Sequence, residues 1–187
     1  LWEHSAFGHG QNMYDHQLLV PLIVYLPPEL ARSAGIRTRG GLVIDDQVRL
    51  VDIYPTVLDL LGIPWSAVHG RSLVPMLRGE RMPEVDAFAE QTNTKPERKA
   101  LRSSRYKFVR ISSDRTHERA PQLFDLRQDP GEHHNLAGER PELVAALMAR
   151  MKAIMQGSSP EDLAAEGPDE IDPKLREQLE ALGYLNN

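Results

Sequence analysis

Residues 17–26, QLLVPLIVYL, form an almost continuous apolar run closed by Pro27 and Pro28. A run that short has no room for a capped, buried helix and suits a strand covered on both faces of a parallel or mixed sheet. Pro21 cannot donate to a ladder, so the pairing part of the strand is expected nearer residues 22–25. Gly35, Gly40 and Gly41, set among charges, predict a surface loop over 29–46. In LVDIYPTVLDLLGIP (50–64), Asp52 is a helix-starting residue and Pro55 falls in the first turn. The N–H that proline lacks has no intrahelical partner there, so Pro55 marks a start and not a break. Val57, Leu58, Leu60 and Leu61 are expected to form a broad buried face, and Gly62 followed by Pro64 stops the helix.

Further along, HGRSLVPMLRGE (69–80) reads as a turn, a short apolar segment and a second glycine stop. DAFAEQ (86–91), ALRSSRYKFVRIS (100–112) and PQLFDL (121–126) predict three strands. The alternation from Tyr106 to Ile111 implies one buried and one wet face, the habit of an antiparallel sheet. DPGEHHN (129–135) is a polar turn. From Pro141, the apolar positions Val144, Leu147, Met148, Met151, Ile154 and Met155 keep the 3.6-residue period of an amphipathic helix, whose methionines read as core. Residues 156–171 are acidic and linker-like; Asp172 and Pro173 then open a short helix carrying Leu175, Leu179 and Leu182 and closed by Gly183.

Composition narrows the function classes. Hydrophobic residues at 41% and charged residues at 26% are a globular mix that argues against disorder for most of the chain. A net charge of -5 without a basic tract argues against a nucleic-acid partner. No apolar run reaches the roughly 18 residues of a membrane span. The absence of cysteine removes disulfides, thiolate metal sites and a cysteine nucleophile, and leaves the compartment open. The chain begins at Leu1 and shows no signal peptide, so it reads as part of something longer or as a processed product.

In order, the blocks GHGQNMYDHQLLVPLIVYLP, LVDIYPTVLDLLGIP, HGRSLVPMLRG, ALRSSRYKFVR and QLFDLRQDPGEHHNLA resemble the C-terminal portion of the sulfatase family, within the alkaline-phosphatase-like superfamily of metal-dependent hydrolases. It is their order along the chain that makes them specific. The terminal LREQLEALGYL resembles the ending of many bacterial members. The resemblance implies an α/β fold: the end of a large mixed sheet with flanking helices over 1–80, and a small antiparallel α+β subdomain over 86–155. The linker and terminal helix follow over 156–187.

It also implies hydrolysis of a sulfate ester by a formylglycine nucleophile made from Cys or Ser in a C/S-x-P-S/A-R motif, with a calcium ion neutralising the sulfate oxygens. Neither is supplied here. There is no cysteine, and Ser158-Ser159-Pro160 runs on to Glu161 without the motif's arginine. Asp45-Asp46 lies in a glycine-bounded loop and reads as a solvated turn. The family's second acidic motif would precede Leu1. No catalytic residue and no metal ligand is therefore assigned to this chain, and an N-terminal catalytic half is the expected partner.

One site residue is carried over. A Lys or His at about this distance beyond the second acidic motif reaches the sulfate or the bridging oxygen in relatives, and His9, in Gly8-His9-Gly10, matches it. A fixed donor there would offset charge building on the transferring group, and the glycines would allow close approach of the backbone. His4 is expected to support the loop and His16 to be structural, and His133-His134 lacks a third ligand for a metal. The expected substrate is a sulfated small molecule or glycan, and family habit points to a periplasmic or secreted protein. Two alternatives stand beside this. Superfamily phosphodiesterases use a histidine in a Gly-x-His-Gly context for a second metal, which makes a phosphodiesterase or phosphonate-ester hydrolase one of them; a non-catalytic interaction module, the other, would need no upstream site.

Overall fold

The computed structural model describes residue 4, residue 10 and residues 12–37, 41–66, 69–92, 96–112 and 118–157. The expected helix at 172–183 lies outside the described residues. The chain divides into two compact units, one of Pro21–Val85 and one formed by Leu1–Val20 with Asp86–Asn187.

In the unit of Pro21–Val85, Asp52 is the organising residue. It is almost fully buried and accepts from the Arg49 guanidinium at 3.2 and 2.8 Å, from the Arg49 amide at 2.9 Å and from the Arg71 amide at 3.0 Å. Asp52 stands at the N-cap of α3 (Ile53–Leu60), the helix start expected of it; its carboxylate bonds no amide of that helix and instead ties the preceding 3-10 turn to residue 71. Pro55 sits in the first turn of α3, where its missing N–H costs nothing. At the other end, Gly62 at φ +67 accepts the left-handed conformation. There Ile63 N–H bonds to Leu58 O and Gly62 N–H to Asp59 O, the paired bonds of a Schellman stop.

Three expectations for this unit are corrected. The buried residues of α3 are Pro55 and Thr56, whereas Val57 and Leu61 are exposed and Leu58 and Leu60 half-buried. Thr56 turns inward because its hydroxyl donates to Asp52 O and accepts from Leu73 N–H at 2.9 Å. The loop expected over 29–46 begins with a helix, α2 (Pro28–Ser33), started by Pro28 at its first position and followed by Gly35 at φ +71. Finally, the run 17–26 forms no strand. It holds the end of a single helical turn, α1 (Asp15–Leu18), and then backbone in neither helix nor strand, with Ile23 89% and Tyr25 84% exposed. A strand exists only where a neighbour takes its N–H and C=O groups, and no described residue pairs with this segment. The glycine-stopped segment at 69–80 contains a last short helix, α4 (Val74–Leu77).

The other unit is built on a four-stranded antiparallel meander, β1 (Ala87–Gln91), β2 (Glu97–Arg102), β3 (Tyr106–Ser112) and β4 (Glu118–Asp125), in that spatial order. The single strand expected over 100–112 is thus two, because Ser103 turns the chain. Its hydroxyl accepts from the amides of Arg105 and Tyr106, a local bond that competes with a continued ladder. One sheet face carries Leu101, Tyr106, Phe108 and Leu123, packed against Leu143, Leu147 and Met151 of α5 (Pro141–Met155). An ion pair of 2.7 Å between Arg150 and Asp86 ties α5 to the residue before β1. The opposite face, expected to be wet, is covered: Met13 packs on Ala100 and Val109 with Leu18 and Ile111 around them. Residues 13–18 therefore lie across the sheet on the side away from α5.

Candidate functional site

The covered face holds a group of charges that composition alone does not suggest. Lys107, on β3, is 0% exposed and lies 2.6 Å from Asp15 Oδ1 and 2.8 Å from Glu132 Oε1. Its contact with Glu132 is a charge contact and lacks the angle of a hydrogen bond. Arg102, on β2, grips Asp15 with Nε at 3.0 Å from Oδ1 and an N–H group at 2.9 Å from Oδ2, the bidentate fork that suits a carboxylate. Glu132 Oε2 accepts from the Asp15 backbone amide at 2.6 Å. Two cations and two anions thus neutralise one another where solvent is nearly excluded, which is what burying them requires.

Burial pushes the Asp15 carboxyl upward, but the hydrogen bonds and charges of Arg102 and Lys107 outweigh it and hold the pKa below its usual 3.8. Asp129 is also lowered: desolvation raises it, but the His134 and His133 amides and the charges of the two histidines together outweigh it. A carboxylate whose folded pKa is depressed contributes stability above its unfolded pKa and loses it as pH falls through the folded value. The sheet unit should therefore hold its stability as pH is lowered toward about 4 and lose it progressively below. Hydrogen exchange of the β2 and β3 amides between pH 6 and 3 would check this; unchanged protection at pH 3 would contradict it.

Next to the quartet is a stack of rings. His4, in the left-handed region at φ +54, lies face to face with Tyr14 at 3.6 Å between centroids. His133 lies 5.2 Å and His16 5.6 Å from the His4 ring. Tyr14 meets Phe124 edge-on at 5.7 Å, and its hydroxyl accepts from Gln122 at 3.1 Å. The turn that presents His133 is shaped by Glu132 at φ +56 and by Asp129, whose carboxylate accepts from His134 N–H at 2.7 Å. Asn135 closes it, accepting from Leu123 and Ala137 amides. His134 itself points to Glu139 at 2.8 Å.

The residues singled out in the sequence distribute as follows. His9 lies outside the described residues. His4, His16 and His133 are brought together, an association that no spacing in the sequence suggests. Asp45 and Asp46 are exposed in a loop. Among the described residues no three His, Asp or Glu side chains are placed to hold a metal ion. Stacked imidazoles present their faces to one another, while shared coordination needs their nitrogens to converge. Also among the described residues, no helix is long and apolar enough to cross a membrane.

Known proteins resemble this chain in sequence and in fold. Residues 2–160 match the family model described as N-sulphoglucosamine sulphohydrolase, C-terminal. Arylsulfatase K of Bos taurus is 32% identical over 164 residues, which is 82% of this chain and 28% of that protein. The Gallus gallus arylsulfatase K is 34% identical with the same coverage. Among solved structures, the Bacteroides fragilis protein yidJ, assigned to the sulfatases, superposes with a TM-score of 0.55 at 22% identity, over 65% of this chain and 27% of that one. The chain thus spans about 28% of the length of these curated relatives. It belongs to the N-sulphoglucosamine sulphohydrolase C-terminal family and is a C-terminal sulfatase portion of alkaline-phosphatase-like fold.

Proposed function

We propose that the polypeptide containing this chain is a sulfuric ester hydrolase, and that this portion contributes a donor histidine to a site completed by upstream residues. The observation that carries the reading is the family match across residues 2–160. In the intact enzyme a formylglycine attacks the sulfur, and both it and the ligands of a calcium ion belong to the part of the protein outside this chain. Calcium, when bound, would neutralise the sulfate oxygens. His9 donates to the sulfate or to the leaving oxygen, where negative charge grows. The arylsulfatase K relatives make an aryl sulfate the first substrate to try.

The upstream half also accounts for the surface of the Pro21–Val85 unit. Ile23, Tyr25, Val43, Leu50, Tyr54 and Leu61 are all more than half exposed, apolar positions that the rest of a larger protein would cover. Strands of the upstream half would supply ladder partners for residues 19–27, which pair with none of the described residues.

The test is turnover of an aryl sulfate. The longer protein should hydrolyse it and lose activity on calcium chelation, and peptide mass spectrometry should find formylglycine upstream. The 187-residue chain alone should show no turnover above background, with or without calcium. Turnover by the chain alone that survives repurification would contradict the assignment of the nucleophile. Hydrolysis of an aryl phosphodiester but not the sulfate by the longer protein would favour a phosphodiesterase.

A further inference from the structure

Helix α3 is held to its own unit by polar groups. Asp52, at its head, accepts from the Arg49 guanidinium and the Arg71 amide. The Thr56 hydroxyl donates to Asp52 O and accepts from the Leu73 amide, and Asp59 accepts from the Ser72 hydroxyl. The apolar positions lie elsewhere on the helix. Leu50, Tyr54, Val57 and Leu61 follow one another at the spacing of a single helical stripe, and all are between 47% and 72% exposed. An amphipathic helix of a globular protein turns such a stripe to the core and its charges to water; α3 does the reverse. No Lys or Arg occurs in residues 50–64, and the two carboxylates there, Asp52 and Asp59, are both bonded within the unit.

The same unit contains a second bare apolar element. Leu22, Ile23, Val24 and Tyr25 are all exposed and pair with no described strand. Successive residues of a strand point to opposite faces, so a strand formed here would need cover on both, the habit of a strand inside a sheet layered on each side. Leu26, next in the chain, and Leu60 of α3 both pack on Ala31, Ala34 and Ile36. One small core therefore anchors both the bare segment and the helix with the outward stripe.

We propose that α3 docks through Leu50, Tyr54, Val57 and Leu61 on the apolar face of a β-sheet in the upstream part of the same polypeptide, and that residues 22–25 enter that sheet as a strand. The proposal rests on the reading that an upstream half completes this chain, and it names the docking surface and the kind of partner. Three observations select the occupant. The chain spans 28% of the length of its curated relatives, so the proteins it resembles carry enough further polypeptide to build a sheet. A helix that lies on lipid sets Lys and Arg on its polar face, and residues 50–64 hold neither. A helical partner would cover the stripe yet leave the N–H and C=O groups of residues 22–25 without a ladder; a sheet meets both needs at once.

The test uses the full-length protein with the photocrosslinker p-benzoylphenylalanine placed at position 54 or 57. Irradiation should join each position to peptides upstream of Leu1 within one molecule, leaving the protein at monomer mass on a denaturing gel. Amides of residues 22–25 in the unmodified protein should exchange at least about 100-fold more slowly than those of an unpaired peptide, as ladder amides do. A crosslinked dimer would give the stripe to a second copy and overturn the proposal. Crosslinks confined to residues 1–187, or none, would overturn it as well. Upstream crosslinks with unprotected amides at 22–25 would overturn the sheet as the partner. Should the labelled variants not fold, hydroxyl-radical oxidation of the unmodified protein decides: slower oxidation of Tyr54 and Leu61 than in the denatured chain supports docking, and equal rates overturn it. Absence of aryl sulfate turnover would overturn the sulfatase reading instead and leave the crosslinks as they stand.

Discussion

Lys107→Met should destabilise the sheet unit by about 3–5 kcal/mol, the usual cost of removing one partner from a buried ion pair. Methionine nearly matches the lysine stem in volume, so little cavity is created and the loss reports on charge. Without the ammonium, Glu132 keeps only the Asp15 amide as a described partner, and Asp15 relies on Arg102. Both carboxylates are then left in a space with little water to solvate them. Adding Glu132→Gln should recover part of the loss, because the orphaned charge goes while the acceptor for the Asp15 amide stays. The penalty should also shrink below about pH 4, as Asp15 takes up a proton. Exchange of the most protected β3 amides gives the measurement. A loss under about 1 kcal/mol would mean that the carboxylates find water or another cation once Lys107 is gone.

The same lysine shows where the sequence is legible and where it is not. Punctuation was legible, because it is local. Pro55 and Gly62 bracket α3, and Pro141 opens α5, through backbone groups within a few residues of each. The core face of the sheet was legible too, since Tyr106 and Phe108 keep a period of two and meet Leu147 and Met151. The other face was not. Lys107 falls on the face that the alternation would leave wet, but a segment some 92 residues earlier in the chain covers it with an ion pair to Asp15. Local periodicity carries no information about such a pairing. Ser103 escaped notice for a related reason: a side-chain hydroxyl makes the turn where glycine or proline would have announced it. The run at 17–26 was misread in the opposite sense. Its pattern is that of a buried strand, and a pattern cannot say whether the strands that would bury it lie within these 187 residues. Of the candidate site, His9 is proposed through resemblance to a family and through nothing in the spacing, and it lies outside the described residues. The approach of His133 to His4 depends on the Glu132 turn, and no local signal foretells it.

In the intact enzyme, His9→Ala should reduce kcat by about 100- to 1000-fold, the range seen when one preorganised donor is removed from a site of developing charge. On the role proposed for His9 the loss should fall on kcat and leave KM little altered, because such a donor meets charge that is greatest in the transition state. His9→Lys should keep much of the activity, since relatives with lysine at this place in the loop present a positive group to the same oxygen. His4→Ala should cost less than His9→Ala: the His4 ring lies against Tyr14 and His133, so its removal loosens the support and leaves the donor in place. A kcat for His9→Ala within about threefold of the unmodified enzyme would reduce His9 to a loop histidine without a part in the chemistry.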